Sequence, residues 1–93
     1  MLYKVAYSSQ FKKDWKRCVR QGLPMEKLRH VISFLAEGKK LPDNYKVHQL
    51  KGERKGQWEC HIQPDWLLVW EVNDDNLVLL LLTTGSHSYI FGK

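Results

Sequence analysis

Polar and apolar positions alternate with two different periods along this chain. Leu2-Tyr3-Lys4-Val5-Ala6-Tyr7 alternates and is rich in β-formers, which predicts a first strand. Ser8 or Ser9 can then cap a helix by accepting a backbone N–H. In that helix Phe11, Trp15, Cys18 and Val19 share one face, and Lys12, Lys13, Lys16, Arg17 and Arg20 fill the others. Gly22 stops it, since a residue without a Cβ enters the left-handed conformation at little cost. Pro24 suits the first turn of a second helix. Its stripe is Met25, Leu28, Ile32 and Leu35, widened by Val31 and Phe34 and ended by Gly38. So short a connection predicts an antiparallel helical hairpin.

After a loop over residues 39–46 the period changes to two. Val47-His48-Gln49-Leu50 starts a strand, broken by Gly52 and the turn Glu53-Arg54-Lys55-Gly56. Trp58, Cys60 and Ile62 then alternate with Gln57, Glu59, His61 and Gln63, which puts His61 on the polar face and Cys60 toward the core. Pro64-Asp65 turns the chain into a mostly apolar strand, Trp66 to Val72. A hairpin turn at Asn73-Asp74-Asp75-Asn76 leads to the continuous apolar run Leu77 to Leu82. A run apolar on both sides predicts a central strand covered on both faces. The order β-α-α-β-β-β-β predicts an α+β fold, one domain over residues 1–93. In it an N-terminal strand and a helical hairpin pack on a mostly antiparallel sheet of four to five strands.

Charge is divided unevenly between the halves. Residues 1–48 carry 11 Lys and Arg against four Asp and Glu, whereas residues 49–93 carry four against six. The first half therefore builds a basic surface suited to nucleic acid, an acidic membrane surface or an acidic protein, or simply a solubilising helix face. The start of the chain lacks the pattern of a secretory signal, and Leu77 to Leu82 is too short to span a bilayer. The expectation is a cytoplasmic protein, not membrane-bound, with Cys18 and Cys60 as free thiols.

Three of the four histidines, His48, His61 and His87, lie in the second half. His61 sits mid-strand on a polar face, and His87 follows Thr84-Gly85-Ser86 beyond the central strand, where a rigid strand meets an open loop. Imidazole is the usual side chain for proton transfer near neutral pH. Asp65 is either a turn residue beside a core Trp66 or a carboxylate that orients a histidine. Metal motifs place ligands at close fixed spacing, but 12 residues separate His48 from His61 and 25 separate His61 from His87, so no metal or other cofactor is called for. There is no Gly-rich phosphate loop and no nucleophile elbow. The chemistry that fits is metal-independent RNA cleavage. One group takes the proton of the ribose 2′-OH, another protonates the departing 5′-oxygen, and cations stabilise the charge between them. Phe91 can stack on a base.

The motifs His48-x-Leu50-x-Gly52, Lys55-Gly56, Glu59-Cys60-His61-Ile62-x-Pro64-Asp65-Trp66-Leu67-Leu68 and Gly85-Ser86-His87-Ser88-x-x-Phe91 resemble the YafQ branch of the RelE/ParE toxin superfamily. The resemblance spans nearly the whole chain and implies the toxin of a type II toxin–antitoxin pair. Such a toxin is a ribosome-dependent mRNA endoribonuclease that inhibits translation until its cognate antitoxin binds it. Its partners would be that antitoxin, the ribosome, mRNA and, through the antitoxin, operator DNA. Carried over by position, His48, His61, Asp65, His87 and Phe91 match catalytic positions, with Trp66 beside them at the RNA. His87 and His61 are expected to be the main acid–base groups, assisted by His48 and Asp65. The chain departs from the family pattern at Val47, Trp58, Thr83 and Tyr89; an arginine is common where Trp58 and Thr83 stand. Lys51, Arg54 or Lys55 would replace those cations, and Lys12, Lys13, Lys16 and Arg17 would meet ribosomal RNA. The alternative is a RelE-like binding module with weak or no cleavage, acting through its antitoxin.

Overall fold

A computed structural model describes residues 2–92. The chain runs β1 (Lys4–Tyr7), α1 (Ser9–Arg20), α2 (Met25–Ala36), β2 (His48–Gln49), β3 (Trp58–Gln63), β4 (Trp66–Asn73), β5 (Val78–Gly85) and α3 (His87–Phe91). Single 3-10 turns at Asp43–Tyr45 and Gly52–Arg54 flank β2. The five strands form one sheet in the order β1-β5-β4-β3-β2. Every neighbouring pair is antiparallel except β1 with β5, which run parallel from Lys4 opposite Val78 to Tyr7 opposite Leu81. The expected α+β architecture is what the structure has.

Ser8 is the helix cap: its hydroxyl accepts the Phe11 N–H at 2.9 Å and donates to the Leu82 carbonyl at 2.7 Å. One side chain thus closes α1 and fastens it to β5. The Tyr3 N–H donates to the Ala36 carbonyl at 2.8 Å, so the end of α2 returns to the start of β1. The start of α1 and the end of α2 both meet β1, which makes the pair antiparallel.

The main core lies between the helices and one sheet face. Phe11, Cys18, Leu28 and Val31 from the helices meet Cys60, Ile62, Trp66, Leu68, Trp70, Leu79 and Leu81 from the sheet. A smaller cluster of Leu67, Val69 and Ile90, with Leu50 and Leu82 against it, covers the other face. Fully burying a side chain such as Leu or Val contributes about 1.5–3 kcal/mol, so both faces add to stability.

Three expectations are corrected. Val19 is exposed, and the position that completes the buried stripe of α1 is Asp14, at 0% exposure. Leu77 belongs to the hairpin turn, in the left-handed region at φ 53°, and β5 starts at Val78. The segment after β5, expected as an open loop, is the helix α3. Ser86 caps it by accepting the Tyr89 N–H, and Gly92 ends it at φ 73°.

Candidate active site

The histidines gather because the register of three strands puts them in adjacent rows. His48 on β2 lies opposite Glu59 on β3, and His61 lies opposite Leu67 on β4, which in turn lies opposite Gly85 on β5. Directly opposed residues share a face. Gly85 then delivers the chain into α3, whose first residue is His87. An irregularity in the pairing between His61 and Gln63 precedes the turn that carries Asp65.

Asp65 Oδ1 accepts the His87 backbone N–H at 2.9 Å and lies 2.8 Å from His87 Nδ1. A carboxylate oxygen accepts, so Nδ1 carries the hydrogen and the neutral ring keeps a free lone pair on Nε2. The backbone N–H of His87 and then its ring hold the Asp65 carboxyl below the usual range, against a small desolvation effect. The rings of His61 and His87 meet edge to face with centroids 5.5 Å apart. Phe91, one turn along α3, has its ring centroid 6.4 Å from that of His87. Arg54 stands over Phe91 at 5.5 Å and donates to the Ile90 carbonyl at 3.2 Å. His48 lies beside Glu59, with Nε2 3.3 Å from Oε1.

His48, His61, Asp65, His87, Phe91 and Arg54 therefore line one open surface. The His48, His87 and Asp65 side chains are about half exposed or more, and His61 is 21% exposed. Lys51 and Lys55 are exposed beside β2, lining a shallow concavity with Gln49 and Leu50. A surface of this shape suits a polymer passing over it better than a small molecule enclosed by it.

Two of the expected RNA contacts have other roles. Trp66 is 2% exposed, and its indole N–H donates to Thr84 Oγ1 at 3.0 Å, so it offers no face to a base. Arg17 is not a free surface cation. It donates to Asp14 at 2.8 Å and to the Thr84 carbonyl at 2.7 Å, and its guanidinium lies 3.6 Å from the Tyr89 ring centroid. Lys12 and Lys16 line a groove of about 900 Å³ between β1, α1 and α2. Lys13 is exposed on α1.

The network around Asp14 was missed by the sequence reading. Its carboxylate accepts from Thr83 and Tyr89 hydroxyls, the Gln10 amide, Arg17 and the Thr84 N–H. Burial pushes its carboxyl up, but these hydrogen bonds outweigh burial and leave it below the usual range. Through Tyr89 the network ties α3, and so His87, to α1. The signal was available: Asp14 is three residues after Phe11 and four before Cys18, on the buried face. Cys60 is wholly buried, and burial pushes its thiol up to about 12, so it offers no thiolate nucleophile.

Comparison with known proteins bears on this arrangement. A family model described as the bacterial toxin of type II toxin–antitoxin systems, YafQ, matches residues 3–92. The mRNA interferase toxin YafQ of Escherichia coli K12 is 35% identical over 89 residues, 95% of each chain. In the crystal structure of the E. coli DinJ-YafQ toxin–antitoxin complex, the matching chain has a TM-score of 0.88 at 33% identity, covering 99% of this chain and 100% of that one. A metal-bound toxin from Helicobacter pylori has a TM-score of 0.90 at 40% identity, covering 98% of this chain and 100% of that one. Among the described residues of the present chain, no three His, Cys, Asp or Glu side chains are arranged to hold a metal ion. Likewise, no helix among them is long and apolar enough to cross a membrane.

Proposed function

The chain belongs to the YafQ family of bacterial type II toxins, and from that premise we propose that it is an mRNA endoribonuclease acting on cytoplasmic ribosomes. The observation that carries the chemistry is the Asp65–His87 pair with His61 at its side.

His87 and His61 share the proton transfers. The neutral ring of one takes the proton from the ribose 2′-OH through its unshared nitrogen. The 2′-oxygen attacks the adjacent phosphorus, and the P–O5′ bond breaks. The protonated ring of the other gives its proton to the departing 5′-oxygen, leaving a cyclic 2′,3′-phosphate. Asp65 fixes the tautomer and the orientation of the His87 ring. Arg54 supplies positive charge near the phosphate, and His48 assists from β2. Phe91 stacks on a base, and Arg54 keeps its ring in place. Lys51 and Lys55 hold the phosphates on either side.

The antitoxin neutralises the toxin through the groove between α1 and α2. Its floor is Val5, Phe11, Trp15 and Ile32, and Lys4, Lys12, Lys16 and Arg29 stand at its lining. An apolar floor with cations around it suits an amphipathic acidic helix. The E. coli relative's complex with DinJ supports an antitoxin as the partner. The same complex would carry any contact with operator DNA.

The test is cleavage of a short message in a programmed ribosome by the native chain, His87→Ala and His61→Ala. Cutting by the native chain, slowed at least a hundredfold in either variant, supports the reading. A native chain that binds ribosomes but leaves the message whole overturns it in favour of a binding module. Trp58 and Thr83, where an arginine is common in the family, make that the competing outcome.

A further inference from the structure

His87 is carried by a helix of five residues, α3. A helix so short does not hold itself together in water, so its placement depends on what grips it from outside. Residues four apart share a face, which puts His87 and Phe91 together on the catalytic side and leaves Tyr89, between them, directed away from it. Its phenol reaches back to α1. The Tyr89 hydroxyl donates to Asp14 Oδ1 at 2.6 Å and accepts from the Gln10 amide at 2.9 Å, and the guanidinium carbon of Arg17 lies 3.6 Å from its ring centroid. Tyr89 is nevertheless 46% exposed. Much of its surface stays in water, so what it contributes is direction more than buried area.

The same two residues of α1 also hold the end of β5. Arg17 donates to the Thr84 carbonyl at 2.7 Å, and Asp14 Oδ2 accepts the Thr84 N–H at 3.2 Å. The Thr84 hydroxyl in turn accepts the indole N–H of Trp66 at 3.0 Å and donates to the Leu67 carbonyl at 2.7 Å. Trp66 follows Asp65 in the chain. Asp14 and Arg17 are thus a common reference for both members of the Asp65–His87 pair. One member is reached through Thr84 and Trp66, the other through Tyr89. The hold on β5 from α1 is on the backbone of Thr84, whereas the hold on α3 is on a side chain, that of Tyr89.

We propose that Tyr89 is a positioning residue for cleavage: clamped to Asp14 and Arg17 of α1, it fixes the rotation of α3 and so the aim of the His87 ring. Tyr89 does not touch the reacting atoms; it acts through His87. That this aim serves RNA cleavage rests on the nuclease reading; that Tyr89 sets where His87 points does not.

The experiment uses the full chain with Tyr89→Phe, Tyr89→Ala, His87→Ala and the double variant Tyr89→Ala with His87→Ala. Tyr89→Phe keeps the ring on the guanidinium and removes the hydroxyl, whereas Tyr89→Ala removes both. The first readout is the set of His87 ring resonances in the NMR spectrum of the free protein, without RNA. They are expected to shift and broaden in Tyr89→Ala and less so in Tyr89→Phe, while those of His30 on α2 stay in place. The second readout is single-turnover cleavage on the ribosome as a function of toxin concentration. The maximal rate should fall by about tenfold or more in Tyr89→Ala, with the half-saturating concentration unchanged and part of the rate recovered in Tyr89→Phe. In the His87→Ala background Tyr89→Ala should cost nothing further, since the ring it aims is gone. His87 resonances that stay in place in the folded variants overturn the proposal, and Tyr89→Phe alone decides if the alanine variant does not fold. A comparable further loss of rate in the His87→Ala background overturns it as well, because Tyr89 would then act on the fold at large. So does an effect confined to the half-saturating concentration, which would make Tyr89 an RNA contact. A native chain that does not cut, with the His87 resonances following Tyr89 as expected, overturns the nuclease reading and leaves the clamp supported.

Discussion

Asp65 grips His87 twice, accepting its backbone N–H at 2.9 Å and facing its ring Nδ1 at 2.8 Å through the same oxygen. One contact fixes where α3 begins and the other fixes which nitrogen of the ring is free. The carboxylate comes from the β3–β4 turn and the imidazole from beyond β5, so the pair exists only when the sheet is assembled.

Asp65→Asn should therefore cost activity without costing the fold. The amide keeps the size but loses the negative charge that faces His87 Nδ1. We expect single-turnover cleavage to fall by about a hundredfold with message binding nearly unchanged. Thermal unfolding of the variant, measured beside the native chain, should differ little.

Asp65 should add no limb to the rate profile near neutrality. It is held below the usual carboxylate range, first by the His87 backbone N–H and then by the ring, so it stays ionised until acid pH. Asp65→Asn should lower the rate across about pH 5 to 8 without adding or removing a limb. Rate profiles of the native chain and the variant decide this.

Asp14→Asn should act on stability. It replaces a buried acceptor of five hydrogen-bond donors with an amide that accepts fewer and leaves Arg17 without its counter-charge. Breaking a buried pair of this kind costs about 3–5 kcal/mol. The folded-state carboxyl of Asp14 lies below its unfolded value. Its contribution is thus fully present above the unfolded value, about 3.9, and is lost as the pH falls through the lower folded value. Urea unfolding of the native chain and Asp14→Asn should converge as the buffer is made acidic.

Gly85→Ala should disturb the site from behind. Gly85 has φ 158°, and a Cβ built there would lie 2.7 Å from Arg17 Nη2 and 2.8 Å from Tyr89 Cδ2. Relief requires Tyr89, and α3 with it, to move. A loss of about 1–3 kcal/mol of stability is expected, together with broadened His87 resonances in an NMR spectrum of the folded variant.

Salt and charge substitutions should separate the two basic surfaces. Lys51→Ala and Lys55→Ala should each lower the slope of log affinity against log salt for message by roughly one. Lys12→Ala and Lys16→Ala, at the groove, should weaken antitoxin binding and leave cleavage by the free toxin unchanged. Equal effects of all four on message binding would merge the surfaces into one.

Much of this was legible in the sequence because period and parity are local. The alternation from Trp58 to Gln63 put His61 opposite Trp58 and Ile62, and the register bears that out. What period could not supply was which residues cover the second sheet face. Glu59 reads as a solvated polar residue until Ile90 and Leu50 are seen packed over that face. The five-residue α3 is too short to show a helical stripe, though Ser86 and Gly92 mark both its ends. Arg17 looked like one more exposed cation because its partner Asp14 was not singled out on the buried face of α1. Trp66 faces the core because its indole N–H finds Thr84 there, a contact between residues 18 apart that no local pattern encodes.

The parallel pairing of β1 with β5 has a consequence for synthesis. The first strand made finds its neighbour in the last, so the sheet cannot close from the N-terminus as the chain emerges. The helices are made first, but the core they pack on includes Leu79 and Leu81 of β5, and Ser8 of the α1 cap is tied to Leu82. The groove and the histidine surface therefore become complete together, when the last strand is in place, and a nascent chain has neither until then.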